Sequence, residues 1–266
     1  MADDVPFLTL AALTRDVDDA GSPDRLNVTI NVNGIDVAVA EFVAEHPDAQ
    51  GYLRRAEAVV SFNSESLTNS SVRVGNRGDD AWAPQHILLF GHTTRESVVP
   101  IAMETDLTEW LSSDASEGAL TIPLRLVGLG GSDMLIQRLL LLVRTADKDD
   151  AGTDSLVQLQ VTINGQLHVS EVITDTPQDD FERGVSNWYY LPVQTPFTRQ
   201  GLRGGTGRME LEILGKDAWL PDSLYVFGLD TPAGRPTKLV PLAAKRTWGG
   251  LVLSRDPDEG SKTVGL

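Results

Sequence analysis

Carboxylates cluster at two places in this 266-residue chain, each in a glycine-bearing loop. The first loop reads Asp16-Val17-Asp18-Asp19-Ala20-Gly21-Ser22-Pro23-Asp24, and the second Asp147-Lys148-Asp149-Asp150-Ala151-Gly152-Thr153-Asp154. Crowded carboxylates repel one another unless solvated or neutralised, and hard oxygen donors of this kind suit Ca²⁺ or, less well, Mg²⁺. Asp16, Asp18, Asp19 and Asp24 are the candidates in the first loop; Asp147, Asp149, Asp150, Gly152 and Asp154 are those in the second. The competing reading is a solvated turn, since Asp, Gly and Ser also favour turns through local hydrogen bonding. An EF-hand does not fit. Its fifth position is Ala20 or Ala151, its twelfth is Asn27 or Gln158, and the flanks alternate like strands.

Other residues with chemical potential give weaker patterns. His46, His86, His92 and His168 have no zinc-like spacing, there are no cysteines, and no Gly-x-Ser-x-Gly elbow occurs. The chain is therefore expected not to be an enzyme. Gly201-Leu202-Arg203-Gly204-Gly205-Thr206-Gly207-Arg208 lacks the Gly-Lys-Ser/Thr ending of a phosphate loop and precedes a strand pattern, so it reads as a connection between strands. With Arg199, its Arg203 and Arg208 form the main basic patch, suited to an acidic partner. Trp188-Tyr189-Tyr190 offers a candidate partner-binding or membrane-interface tip, with partial burial in a strand as the alternative.

The elements that must position these residues are strands. Leu26 to Val32 and Val157 to Ile163 alternate apolar and polar residues, and each leads into Asn-Gly, at Asn33-Gly34 and Asn164-Gly165. That dipeptide favours a two-residue type I′ hairpin because both central residues need positive φ. Helix is expected only over Pro47 to Val60 and at Leu107 to Leu111.

The two acidic loops belong to an internal repeat. They align without a gap at an offset of 131, and Gly78-Asp79-Asp80-Ala81-Trp82-Ala83-Pro84 then matches Gly215-Lys216-Asp217-Ala218-Trp219-Leu220-Pro221 at an offset of 137. Val99-Pro100-Ile101-Ala102 matches Val240-Pro241-Leu242-Ala243, and Glu117-Gly118 matches Glu259-Gly260. Trp82 and Trp219 read as core anchors. The expected architecture is all-β: two tandem antiparallel β-sandwich domains, residues 1–130 and 131–266, divided at the glycines of 128–131.

Net charge is −16, with 20 acids and 8 bases in residues 1–130 against 18 acids and 14 bases in residues 131–266. Such a field disfavours nucleic acid and attracts cations and basic partners. No apolar run approaches membrane-spanning length, so an integral membrane protein is not expected. The acidic start lacks the basic and apolar regions of a secretory leader. Cytoplasmic residence is the expectation, with leaderless export left open.

The second repeat resembles the PLAT (LH2) family. The resemblance lies in Asp149-Asp150-Ala151-Gly152-Thr153-Asp154 with its following strand, then Phe181-Glu182-Arg183-Gly184, then Asp217-Ala218-Trp219-Leu220-Pro221, and finally Thr247-Trp248. It covers most of residues 137–255 and extends faintly over 7–118, where Ser22-Pro23 replaces Thr-Asp and no Phe-x-Arg-Gly block is evident. The resemblance implies β-sandwiches that often bind calcium and engage lipid surfaces or proteins, with Asp147, Asp149, Asp150, Gly152 and Asp154 shaping a calcium loop. The expected function is a non-catalytic binding or scaffold protein whose acidic loops, with or without calcium, engage a protein or membrane surface; Trp188, Tyr189 and Arg203 are candidate partner contacts. The alternative is a metal-independent structural subunit of a larger bacterial or viral assembly, including a homo-oligomer.

Overall fold

The computed structural model describes residues 4–21, 25–43, 51–63, 67, 69–78, 80–93, 97–173, 181–230 and 237–266. The chain divides into two compact units, Met1–Val127 and Gly128–Leu266. Each is an all-β sandwich of almost wholly antiparallel strands closing on its own apolar core.

In the first unit, β1 (Asp4–Thr14) lies between β4 (Gly51–Asn63) and β6 (Pro84–His92), and β6 continues to β7 (Val98–Glu104). The facing layer is β3 (Ile35–Val43), β2 (Arg25–Val32) and β5 (Ser70–Asn76), and β8 (Thr121–Leu126) pairs with both β5 and β7. In the second unit, β10 (Leu135–Thr145) lies between β13 (Ser186–Thr198) and β15 (Pro221–Asp230), followed by β16 (Lys238–Lys245) and the short parallel β9 (Gly128–Leu129). Facing them are β12 (Gln166–Ile173), β11 (Val157–Ile163), β14 (Arg208–Ile213) and β17 (Thr263–Gly265). Strand for strand, β1 to β8 correspond to β10 to β17 once β9 is set aside.

The matched sequence blocks have structural causes that repeat with them. Both Asn-Gly pairs turn with positive φ at both residues, Asn33 and Asn164 at 52°. Each Val-Pro-apolar-Ala block makes a bulge: Phe90 faces Pro100 while Leu89 faces Ala102, and Phe227 faces Pro241 while Val226 faces Ala243. A proline tolerates that site because a bulge already interrupts the ladder. Trp82 and Trp219 are buried, and their indole N–H groups donate to Thr14 Oγ1 (2.9 Å) and Thr145 Oγ1 (3.0 Å). The Glu-Gly pairs close matching loops: Ser112 Oγ donates to Glu117 at 2.9 Å and Ser254 Oγ to Glu259 at 3.0 Å.

Both expected helices are corrected. Residues 51–60 belong to β4, whose Leu53 pairs with Ala11 and Ala56 with Leu8 of β1; residues 47–50 lie outside the described residues. Helix-forming Ala, Arg and Glu are overridden there by strand pairing, since propensity is weaker than tertiary context. Leu107–Leu111 is irregular, and Leu111 instead bridges Trp82 and Ala119. Among the described residues the helix is α1 (Arg199–Arg203), a single turn inside the connection read as strand-to-strand. Thr198 caps it by accepting from the Gly201 N–H at 3.0 Å, which satisfies an otherwise orphan donor.

Candidate functional site: the acidic loop end of the second unit

At one end of the second unit, three connections converge: β10 to β11, β12 to β13 and β14 to β15. Their frame is built by the backbone. The Ala151 N–H donates to the Lys148 carbonyl, Asp150 takes φ 57°, and buried Ala151 accepts from the Leu220 N–H at 2.9 Å. Aspartate is among the few residues that visit the left-handed region readily, so the turn itself accounts for Asp150. The first unit repeats this frame, with Asp19 at φ 57°, Ala20 donating to Val17, and Ala83 donating to Ala20 at 2.8 Å.

The blocks that resemble the PLAT family meet in space. Phe181 packs edge-on against Trp219 with ring centroids 4.8 Å apart, and the Gly184 N–H reaches the Ala146 carbonyl at 3.2 Å. Gly152 lies so near this segment that a Cβ there would stand 3.2 Å from the Phe181 carbonyl oxygen. That packing delivers Arg183 to the acidic loop. Its Nε donates to Asp147 Oδ1 at 2.7 Å and its Nη1 to Asp149 Oδ1. The hydrogen bond to Asp147, opposed in part by desolvation, leads the effects that raise the Arg183 pKa above its ordinary value. Asp154 is exposed, and its N–H donates to Asp217 Oδ2 at 3.0 Å; Asp217 in turn donates from its backbone to Ser155 Oγ at 3.0 Å.

In this geometry the aspartates that the resemblance assigns to a calcium loop are engaged within the protein itself. Asp147 and Asp149 already flank an internal cation, Asp150 serves the turn, and Asp217 is engaged with backbone. Among the described residues, no three carboxylate or histidine side chains converge where they could hold a metal ion. In the first unit Asp16, Asp18 and Asp19 are exposed and have no ion-pair or side-chain hydrogen-bond partner among the described residues; Asp24 lies outside them.

The aromatic and basic candidates do not join this site. Trp188 and Tyr189 lie within β13, opposite Leu142 and Leu141 of β10, not at a loop tip. Trp188 is buried, with its ring 6.0 Å from that of Tyr190, and Tyr189 packs on the core beside Phe181. Tyr190 is the exposed member of the trio. Arg203 is exposed but lies on α1, at the opposite end of the unit from the acidic loop. Sequence reading overlooked the roles of Arg183 and Asp217. Their signal was the order of the Phe-Glu-Arg-Gly and Asp-Ala-Trp blocks after the acidic loop, which makes all three connections neighbours in an antiparallel sandwich.

Fold and site together define a tandem β-sandwich protein with a braced acidic loop end. No family model and no curated protein matches the chain. Among solved structures it is similar to "Alpha Toxin from Clostridium Absonum", at 19% identity and TM-score 0.40 over 52% of this chain and 33% of the toxin. The chain thus spans about a third of that protein's length. It is also similar to "Extended-Synaptotagmin 2, C2A- and C2B-domains", at 12% identity and TM-score 0.13 over 82% of this chain and 76% of the other. No helix among the described residues is long and apolar enough to cross a membrane.

Proposed function

We propose that this protein is a non-catalytic PLAT-like binding module that engages a cationic protein surface through its acidic loop ends. The observation that carries this reading is the bracing of the second loop: Arg183 holds Asp147 and Asp149, while Asp217 ties Asp154 to the β14–β15 connection. Bracing fixes loops that would otherwise have to be ordered on association, which lowers the entropy cost of binding. Asp149, Asp150 and Asp154 remain exposed on the braced surface. In the first unit the same frame presents Asp16, Asp18 and Asp19 with no ion-pair partner among the described residues. Both loops therefore suit Lys- or Arg-rich surfaces, and an anionic membrane is disfavoured by the same field. Calcium has no role in the second loop on this reading, because Arg183 already supplies the positive charge.

The test is titration of a fluorescent Lys/Arg-rich peptide into the full chain with chelator present, alongside phosphatidylserine vesicles. Wild type is expected to bind the peptide with an affinity that falls as salt rises, and Asp149→Asn/Asp150→Asn/Asp154→Asn to weaken it about tenfold. Equal peptide binding by wild type and the triple variant would remove the basis of the proposal, as would calcium-free binding to the vesicles in preference to the peptide.

A further inference from the structure

The opposite end of the second unit carries the reverse charge. Arg199 and Arg203 begin and end α1, four residues apart and so on one side of a single helical turn. The chain then folds sharply back. Gly207 passes so close to α1 that a Cβ would lie 1.8 Å from the Leu202 carbonyl oxygen, which only glycine permits, and the next residue is Arg208 at the start of β14. The backbone thus returns Arg208 to the turn that bears the other two arginines.

Among the described residues none of the three has an ion-pair or side-chain hydrogen-bond partner, in a chain with 38 acidic residues. Arg203 and Arg208 are exposed, whereas Arg199 is half-buried and its Nε is sealed from solvent without an acceptor. Burial, then the neighbouring Arg203 charge, lowers the Arg199 pKa from its ordinary value. Asp133 follows Ser132, whose carbonyl accepts from the Gln200 N–H at 2.8 Å, yet it pairs with none of the arginines. Buried polar groups normally find partners, and like charges left together without one are costly.

The sequence of the first repeat has no counterpart to these arginines. Phe62 and Phe197 take matching register positions near the ends of β4 and β13, and the sequence that follows β4, residues 64–69, contains no basic residue and includes Glu65. Register matching places Ser71 where the second unit has Arg208. A charge cluster that one copy builds and the other omits points to a ligand.

We propose that Arg199, Arg203 and Arg208 form an anion-binding site for a phosphoryl group, either free phosphate or the phosphorylated headgroup of a lipid. A guanidinium presents a planar fork of donors, and a phosphate dianion has enough charge and enough oxygens to engage three such forks, which a single carboxylate does not. The site lies at the other end of the unit from the acidic loop and stands or falls independently of the function proposed there.

The experiment uses the full chain and titrates inorganic phosphate by calorimetry at constant ionic strength. Parallel arms use phosphatidylcholine vesicles with or without a phosphoinositide, and polyglutamate. Wild type is expected to bind phosphate above a chloride control, and Arg203→Gln/Arg208→Gln to weaken it about tenfold for each guanidinium lost. Both residues are exposed, so the variant should keep the wild-type melting temperature. Arg203→Lys/Arg208→Lys, which keeps charge but loses the forks, should fall between the two. Phosphoinositide-dependent vesicle binding lost in the Gln variant assigns the headgroup; free phosphate binding without vesicle binding assigns a soluble ligand. Phosphate binding no stronger than chloride, or unchanged in the Gln variant, overturns the proposal, and so does binding of polyglutamate where phosphate fails.

Discussion

In both units the acidic loop turns through an aspartate at φ 57°, buries the following alanine and hangs from the segment after a buried tryptophan. The charges on that shared frame are handled differently. In the second unit Asp147 and Asp149 flank Arg183, whereas in the first Asp16 and Asp18 face solvent with no described partner. Backbone geometry is therefore the common property of the repeat, and neutralisation belongs to one copy. The comparison teaches that clustered aspartates in a duplicated loop can be conserved between copies by the turn they make, while the cation that meets them is supplied separately, here by a connection far along the chain.

The largest effects should be alike in the two units, because they test the shared frame. Trp82→Ala and Trp219→Ala each remove a fully buried ring and leave Thr14 or Thr145 without its indole donor. Each should cost about 3–5 kcal/mol in denaturant-induced unfolding. A large imbalance between them would mean that the two frames are not equivalent.

Matched glycines should separate the copies. Gly21 has φ 63°, and a Cβ there would lie 1.9 Å from the Ala81 carbonyl oxygen; Gly152 has no positive φ and its nearest contact would be 3.2 Å. Gly21→Ala should therefore destabilise by about 2–4 kcal/mol, adding left-handed strain to overpacking. Gly152→Ala should cost about 1 kcal/mol or less, since Phe181 and its neighbours need to give by only a few tenths of an ångström. Equal losses in thermal or denaturant unfolding would contradict the difference seen between the loops.

Much of the frame was legible in the sequence. Alternation marked β2 and β11, Asn-Gly marked both hairpins, and the repeated tryptophan and Val-Pro blocks marked features that the fold uses twice. What was not legible depends on contacts between distant segments. Arg183 lies 36 residues from Asp147 and 34 from Asp149, so nothing in the loop's own sequence shows that its charge is met internally. The burial of Trp188 depends on the pairing of β13 with β10, and β4 was misread because its Ala, Arg and Glu residues favour helix until β1 lies beside them.

Calcium tests the electrostatic half of the comparison directly. Ca²⁺ should raise the melting temperature of chelator-treated wild type no more than Mg²⁺ at equal ionic strength, because a ligand stabilises only through a site in the folded state. Arg183→Gln should lower that temperature slightly, with the loss shrinking in salt as expected of an exposed ion pair, and should make the second loop respond more strongly to divalent cations. A calcium-specific rise in wild type that disappears in Asp147→Asn/Asp149→Asn would show that metal displaces Arg183, and would reverse the assignment.

The smallest effect distinguishes the units by pH. His86 is buried in the first unit, where its Nδ1 accepts from the Asp106 N–H at 3.2 Å; burial lowers its pKa, opposed by the charge of Asp106. The unfolded chain therefore takes up the proton more readily than the folded one. The stability associated with neutral His86 is fully present above the unfolded value of about 6.5 and is lost as pH falls through the depressed folded value. The position equivalent to His86 in the second unit is Ser223, which does not titrate, as the parallel registers on Leu13 and Arg144 show. Thermal unfolding from pH 7.5 down to 5 should show a destabilising component that His86→Gln removes, because glutamine can still accept from Asp106 without becoming charged. If His86→Gln leaves the pH dependence over that range unchanged, proton uptake at His86 is not what separates the two units.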